Sequence, residues 1–496
     1  MRLVELNKLI NNIEDRPFTI NEATIVELQE ALERGKLTSE ELVTYYLQRI
    51  EMYDKKGPAI NSIIYINDQA LETARSLDEE RRRSGKRGLL HGIPIILKDN
   101  FDTYDMPTSA GSKVLKDSIP LEDSFIVKQL REAGAIILAK SNLHEFAFGI
   151  STNSSLGGQT LNPYNLSKHA GGSSGGTGAA IAANFAAVGL GTDTGCSIRY
   201  PASQNNLVGL RATFGLTSRS GIVPISTTQD VGGPIGRTVS DVAAVMDVIS
   251  GKLDSRDPIT EFGVGKKPKS FLAHLKENSL QGTKIGVFRD YFGQGEEATD
   301  TNSLLEASIQ NMEKLGAEMI DITIPEMIEF DASVVSWEFE SALNNYFQSL
   351  GETRPVTSLK DVIDQAQHIE GIDGYLKEAL GKSLEDVQYK SALENRGKLR
   401  KGILQQMELH GLDAIYYPTF KTSTSLVDEQ RWEDNNGYLS ANSGLPAISF
   451  PIGFTADGFP VGAELLGRAF EEAKLIELAY SYEKATKHRT PPSLTP

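Results

Sequence analysis

One stretch constrains this chain more than any other. It is Ala170 to Pro201, AGGSSGGTGAAIAANFAAVGLGTDTGCSIRYP, in which two loops rich in glycine and hydroxyls flank an alanine-rich run. Gly171, Gly172, Gly175, Gly176 and Gly178 permit positive φ and close approach, and Ser173 and Ser174 sit where a helix begins. Ala179 to Val188 is the expected helix, with small side chains that allow tight packing. Gly189-Leu190-Gly191 then turns the chain back, and a second loop, Gly191 to Ser197, brings a third serine. Two such loops, if they meet, offer a nucleophile, a relay hydroxyl and unpaired N–H donors, which are the parts acyl transfer needs.

Other readings of the same residues compete. Glycine-serine tracts are often linkers, but a linker is not followed at once by an apolar helix. A phosphate-binding loop would need a Lys-Ser/Thr pair that neither glycine loop carries. Gly172-Ser173-Ser174-Gly175-Gly176 fits G-x-S-x-G with Ser174 as nucleophile. That elbow requires a preceding strand, and residues 162–169, NPYNLSKH, read as polar and turn-forming.

Composition narrows the partners. A net charge of −16 argues against a nucleic acid or an anionic membrane surface. The single cysteine, Cys196, rules out an internal disulfide and a cysteine-built metal site, which fits a reducing compartment. MRLVELNKLINNIEDRPF has no basic segment followed by an apolar core, so a cytoplasmic location without a signal peptide is expected. No apolar run approaches the roughly 20 residues of a membrane-spanning helix.

In chain order, residues 1–57 read as helices, with Thr38-Ser39-Glu40-Glu41 as a capping box for a helix presenting Leu42, Tyr45, Tyr46, Ile50 and Tyr53. Ala59 to Ile66 reads as a strand and Asp68 to Arg83 as a surface helix whose run Glu79 to Arg83 is a solvated face. Gly92 to Leu97 is a continuous apolar run suited to a buried strand, and it ends on Lys98. A helix over Asp123 to Ala133 and a strand over Ala135 to Ala139 follow, which implies parallel pairing with active groups collected along one sheet edge. Lys98 has two readings. It is a snorkelling surface residue, or it is buried, in which case desolvation leaves a neutral amine near pH 7.

Lys98 after GIPIIL, GGSSGG at 171–176 and GTDTGCSIRYP at 191–201 resemble the amidase signature family. Ser173 and Ser197 stand 24 residues apart, as that family's two catalytic serines do. The likeness continues through GLRATFG at 209–215, GPIGR at 233–237, SGLPAI at 443–448 and GFPVG at 458–462. It implies an α/β fold, an α/β/α sandwich around a central mixed twisted β-sheet covered by helices. It also implies a Ser-Ser-Lys triad, with Ser197 as the acylated nucleophile, Ser173 as proton relay and neutral Lys98 as base. In the family the peptide bond entering the relay serine is cis, here Gly172 to Ser173. The N–H groups of Thr194, Gly195, Cys196 and Ser197 would form the oxyanion hole, supported by Ser174, Asp193 and Arg199, the last two through paired hydrogen bonds. Phe146 and Phe148 are candidates for contact with the acyl part.

His169 is the alternative base for a Ser-His enzyme, and a Cys196 thiolate the alternative nucleophile, although no His/Asn pair suggests itself to activate it. Cys196 also departs from the family, which usually has a second glycine there, so its side chain narrows the pocket or packs behind the loop.

Four segments are expected within one large domain: a helical segment at 1–58 packed on the core, a signature core at 59–251, a divergent peripheral region at 252–411 forming the pocket wall, and a return to the sheet at 412–496. In the third, residues 283–289 and 318–324 read as strands and 301–315 and 391–410 as helices. The cluster Trp337, Phe339, Tyr346 and Phe347 reads there as helix core rather than substrate lining, and in the second segment the run Ser226 to Asp230 reads either as a polar loop or as bordering the leaving-group side.

The segments 18–110 and HRTPPSL look most like the peptide amidase and general amidase branch. The expected function is hydrolysis of a small-molecule or peptide amide to the acid plus ammonia or amine, by a monomer or homodimer without metal or organic cofactor. Two alternatives are the A subunit of a glutamyl-tRNA amidotransferase, which takes ammonia from glutamine, and a catalytically silent family member that binds.

Overall fold

The computed structural model describes residues 18–325, 330–423, 426–427 and 429–496. Eleven strands build one sheet: β1 (Ile63–Ile66), β2 (Pro94–Lys98), β3 (Ile136–Ser141), β4 (Val188–Asp193), β5 (Val208–Arg211), β6 (Val231–Gly236), β7 (Lys284–Phe288), β8 (Glu318–Ile322), β9 (Ala414–Pro418), β10 (Ala447–Phe454) and β11 (Pro460–Leu466). Their order across the sheet is β1-β3-β2-β4-β6-β5-β10-β11-β9-β7-β8. β2 runs parallel to both β3 and β4, and β7 to both β8 and β9, while the remaining pairs are antiparallel. Every residue of β2, β3, β4, β5, β6, β9 and β11 is buried. Because successive side chains point to opposite faces, protein must cover both sides of the sheet, as in a sandwich.

Parallel pairing places the site. The C-terminal ends of β2 and β4 lie side by side at one edge, so Lys98, the last residue of β2, meets the end of β4. The helix Gly175–Ala182 runs back from that edge, with Ser173 and Ser174 just before its first turn.

Here the structure corrects the expected boundaries. The helix starts and ends earlier than Ala179 to Val188, and Val188 to Asp193, expected as helix end and loop, is a sheet strand. Contact with the helix decides this. A Cβ on Gly189 would come within 2.4 Å of Thr177 Cγ2, and one on Gly191 within 2.7 Å of Ser174 Oγ, so glycine lets strand and helix touch. Of the five glycines around Ser173, only Gly171 has positive φ, at +74°. The others serve close approach, most severely Gly176, whose Cβ would lie 2.1 Å from the Asn142 carbonyl oxygen. Residues 165–169, read as turn-forming, pair as a strand with Leu161–Asn162, but this hairpin stands outside the main sheet.

Elsewhere the pattern holds with shifted ends. Thr24 and Thr38 each cap a helix through a complete capping box, over Ile25–Glu33 and Ser39–Arg49. The reading of helices over residues 1–17 lies outside the described residues. Arg81 departs from the solvated face by donating to the His91 carbonyl and Gln29 Oε1. The stretch 252–411, expected as peripheral wall, also supplies β7 and β8 at the far sheet edge. Among the described residues no helix is long and apolar enough to cross a membrane.

Gly176→Ala forces backbone against backbone and is expected to destabilise the protein by about 1–3 kcal/mol. Gly397→Ala, in the helix Val387–Leu409 with open space around it, is expected to stabilise by about 0.5–1 kcal/mol. Thermal midpoints moving in opposite directions are the check, and equal shifts would contradict the packing argument.

Candidate active site

Lys98 is fully buried, with Nζ 2.7 Å from Ser173 Oγ, 2.7 Å from Thr192 Oγ1 and 3.5 Å from the Thr192 carbonyl oxygen. Asn100 Nδ2 also donates to Thr192 Oγ1, at 3.0 Å. No carboxylate pairs with this ammonium among the described residues, whereas the equally buried Lys140 has Asp99 at 3.1 Å. Burial therefore dominates and pulls the Lys98 pKa down to about 7, against a weaker upward pull from Asp193 and Asp230. Near neutral pH a substantial fraction of the amine is therefore unprotonated and carries a free lone pair.

Ser173 is likewise buried, and its carbonyl accepts from the His144 N–H at 3.0 Å. The peptide bond Gly172–Ser173 is cis. Ser174 fastens the two loops, since its hydroxyl donates to the Thr192 carbonyl at 3.2 Å. Ser197 borders a cavity of about 1120 Å³ and hydrogen-bonds to no side chain of the described residues, Ser173 included. The structure thus joins Lys98 to Ser173 directly and places Ser197 at the cavity wall as an open hydroxyl. Catalytic hydrogen bonds are often long or absent without substrate.

The loop between β4 and the helix Arg199–Gln204 has an uncommon backbone. The N–H groups of Thr194, Gly195, Cys196 and Ser197 find no acceptor among the described residues, and all four residues line the cavity. Unpaired N–H groups in a cavity wall are suited to receive an anion. Beneath the loop lies a buried charge network. Arg199 donates to both oxygens of Asp193, Nε to Oδ2 at 3.0 Å and Nη2 to Oδ1 at 3.1 Å, and its Nη1 reaches Glu464 Oε2 at 2.7 Å. Arg211 Nη1 adds a contact to Asp193 Oδ1 at 3.3 Å. Burial alone would raise the Asp193 pKa, but the two guanidinium groups hold it below the ordinary carboxylate value.

Other candidates fall into place. Phe148 lines the cavity, while Phe146 is buried edge-on against Phe339 and does not. Trp337, read as helix core with Phe339, Tyr346 and Phe347, instead borders the cavity, as do Tyr375, Trp432 and Tyr438. His169 Nδ1 accepts from the Gly171 N–H at 3.1 Å, and burial lowers its pKa to about 4. It braces the loop. The Cys196 side chain packs among Ile150, Tyr200 and Phe420, and burial pushes its thiol far above the usual range, which removes the thiolate a nucleophile needs. Within the run 226–230 only Gln229 reaches the cavity, and Ser226 and Thr228 bond to Glu338 instead. Sequence reasoning missed Thr192, although it lies five residues before Ser197 in the same motif.

Comparison with known proteins gives the family. The family model described as Amidase matches residues 41–476. The glutamyl-tRNA(Gln) amidotransferase A subunit of Thermoanaerobacter pseudethanolicus is 37% identical over 491 residues, covering 95% of this chain and 97% of its own length. The crystal structure of the native peptide amidase from Stenotrophomonas maltophilia superposes with a TM-score of 0.89 at 36% identity, covering 97% of this chain and 100% of that one. The glutamyl-tRNA(Gln) amidotransferase A subunit from Thermotoga maritima superposes with a TM-score of 0.76 at 27% identity, covering 97% and 99%. The chain belongs to the amidase family and is a hydrolase of carbon–nitrogen amide bonds.

The pKa of Lys98 and the buried charge network are each open to measurement. With Lys98 as the base, kcat/KM rises about tenfold per pH unit to an apparent pKa near 7 and is level above it, because protonation removes the lone pair. A profile flat between about pH 5 and 9 would contradict this. Arg199→Met leaves Asp193 and Glu464 buried without their shared partner and is expected to cost about 3–5 kcal/mol in stability, read by chemical denaturation.

Proposed function

We propose that Ser197, Ser173 and Lys98 carry amide hydrolysis through an acyl-enzyme. The carrying observation is the buried Lys98 amine, paired with no carboxylate among the described residues and 2.7 Å from Ser173 Oγ. With Nζ neutral, its two N–H bonds go to the Thr192 oxygens and the Ser173 hydroxyl donates to its lone pair. Ser197 Oγ attacks the amide carbon, its proton passes to Ser173 Oγ, and the Ser173 proton passes to Lys98 Nζ. The tetrahedral oxyanion takes the free N–H groups of residues 194–197. As the C–N bond breaks, Ser173 gives its proton to the departing nitrogen and recovers one from Lys98. Water then adds to the ester by the same relay, releasing the acid and restoring all three groups.

The cavity supports an apolar or aromatic amide, as in the peptide amidase likeness. Phe148, Trp337, Tyr375, Trp432 and Tyr438 supply aromatic surface. Among the described lining residues there is no Lys or Arg, while Asp331, Glu378 and Glu433 are present, with Lys382 at 2.8 Å from Glu378 and Arg431 near Glu433. Such a wall repels the α-carboxylate of glutamine. The second reading, a glutamine-using A subunit, is favoured by the 37% identity but lacks a cation for that carboxylate among the described lining residues.

Ammonia release from N-acetylphenylalanine amide, benzamide and glutamine tests both readings. Turnover of the peptide amide well above glutamine is expected, with Ser197→Ala, Ser173→Ala and Lys98→Ala each losing about 10³-fold or more. Trapped acyl mass on residue 197 is the direct evidence for the nucleophile. Glutamine as the best substrate would transfer the assignment to the A-subunit reading.

A further inference from the structure

The N–H groups of residues 194–197 find no acceptor among the described residues and belong to residues that line the cavity, and a loop rich in small residues can rotate its peptide planes. In a trans peptide the carbonyl oxygen and the following N–H point in opposite directions, so a group that holds the oxygen also aims the hydrogen. Each carbonyl of this loop is held. Arg211 Nη1 donates to the Asp193 carbonyl oxygen, Arg199 Nη2 to that of Gly195 at 2.8 Å, and the Tyr200 N–H to that of Cys196 at 2.8 Å. The Thr194 carbonyl oxygen is taken by the side chain of Gln229, with Nε2 at 3.0 Å.

Arg199, Arg211 and the Tyr200 N–H have roles in charge balance or helix structure that account for their presence. Gln229 carries no charge and belongs to no helix. Its side chain is 1% exposed and fully used, with Oε1 accepting from the Val334 N–H at 3.1 Å. Thr194 O can only accept and Val334 N–H can only donate, so the amide has one permitted orientation. Its backbone is fixed as well, with the N–H on Ser226 Oγ at 3.1 Å and the carbonyl held by Arg211 Nη2 at 2.8 Å. Val334 directly precedes the helix Val335–Ser349, whose Val335, Ser336 and Trp337 border the cavity.

We infer that Gln229 is a positioning residue for the oxyanion site. Its amide holds the Thr194–Gly195 peptide so that the Gly195 N–H faces the cavity, and it ties that peptide to the wall that receives substrate. The inference rests on the reading of Ser197 as nucleophile. Gln229 touches no reacting atom, so its effect is on the transition state and not on ground-state binding.

The test compares the purified full-length parent with Gln229→Glu, Gln229→Met and Ser197→Ala, using N-acetylphenylalanine amide as substrate and benzeneboronic acid as a mimic of the tetrahedral adduct. Gln229→Glu keeps the shape but sets a carboxylate oxygen against the Thr194 carbonyl, and Gln229→Met offers no donor. Both are expected to lose kcat by about 10²-fold, the worth of one oxyanion donor, with KM within about twofold of the parent. Boronate affinity is expected to fall by a similar factor. The clamp is overturned if both variants keep kcat within about threefold, if the loss lies in KM alone, or if boronate binds as tightly as before. Ser197→Ala separates the two levels, because activity at the parent rate in that variant overturns the nucleophile itself, whereas its inactivity beside fully active Gln229 variants overturns only the clamp.

Discussion

The site depends on an amine taken out of water without an opposite charge beside it. Transfer of an ammonium into a buried setting is costly, and a protein meets that cost either by pairing the charge or by giving up the proton. This chain does both within one neighbourhood. Lys140 has Asp99, whereas Lys98 has only hydroxyl and carbonyl oxygens within reach, so its pKa falls to about 7. A neutral amine donates two hydrogen bonds and accepts one, which matches the two Thr192 oxygens and the Ser173 hydroxyl. Base strength and proton direction thus follow from burial and from the donor count of the neighbours.

Bringing that amine to two serines requires backbones to lie closer than side chains ordinarily allow. β2 and β4 are adjacent and parallel, and the helix Gly175–Ala182 lies directly on them because Gly189 and Gly191 leave no Cβ in the gap, while Gly176 lets the helix touch the Asn142 backbone just beyond β3. The small residues of the signature stretch therefore serve distance before flexibility. Among its glycines only Gly171 uses a backbone conformation that other residues avoid.

The floor of the site is built by charge. Asp193 and Glu464 face Arg199 and Arg211 in a buried and nearly balanced set, and both of those guanidinium groups also hold loop carbonyls. Fixing carbonyls on one side leaves N–H groups on the other, and among the described lining residues of the cavity there is no Lys or Arg. Its walls are aromatic, and the lining carboxylates Asp331, Glu378 and Glu433 are exposed. Cys196 fits this floor because only its N–H faces the work, and its side chain fills a pocket beside Tyr200 and Phe420.

The amino-acid sequence by itself determined which residues could do the chemistry. The apolar run ending on Lys98 and the two glycine-serine loops offered parts suited to acyl transfer among other readings, the resemblance to the amidase signature family chose between them, and pattern located five of the eleven sheet strands within a few residues. It read Val188 to Asp193 as helix end, turn and loop where the structure has a strand, because glycine there satisfies a packing need seen only once the helix lies on the sheet. Nor could it tell Phe146 from Phe148, or separate Trp337 from its buried helical neighbours, since neighbours in sequence diverge when a cavity wall passes between them. The roles of Thr192 and Gln229 belonged to the tertiary structure alone. Both act through contacts between segments distant in the chain, and a hydrogen bond across 94 or 35 residues leaves no local signature.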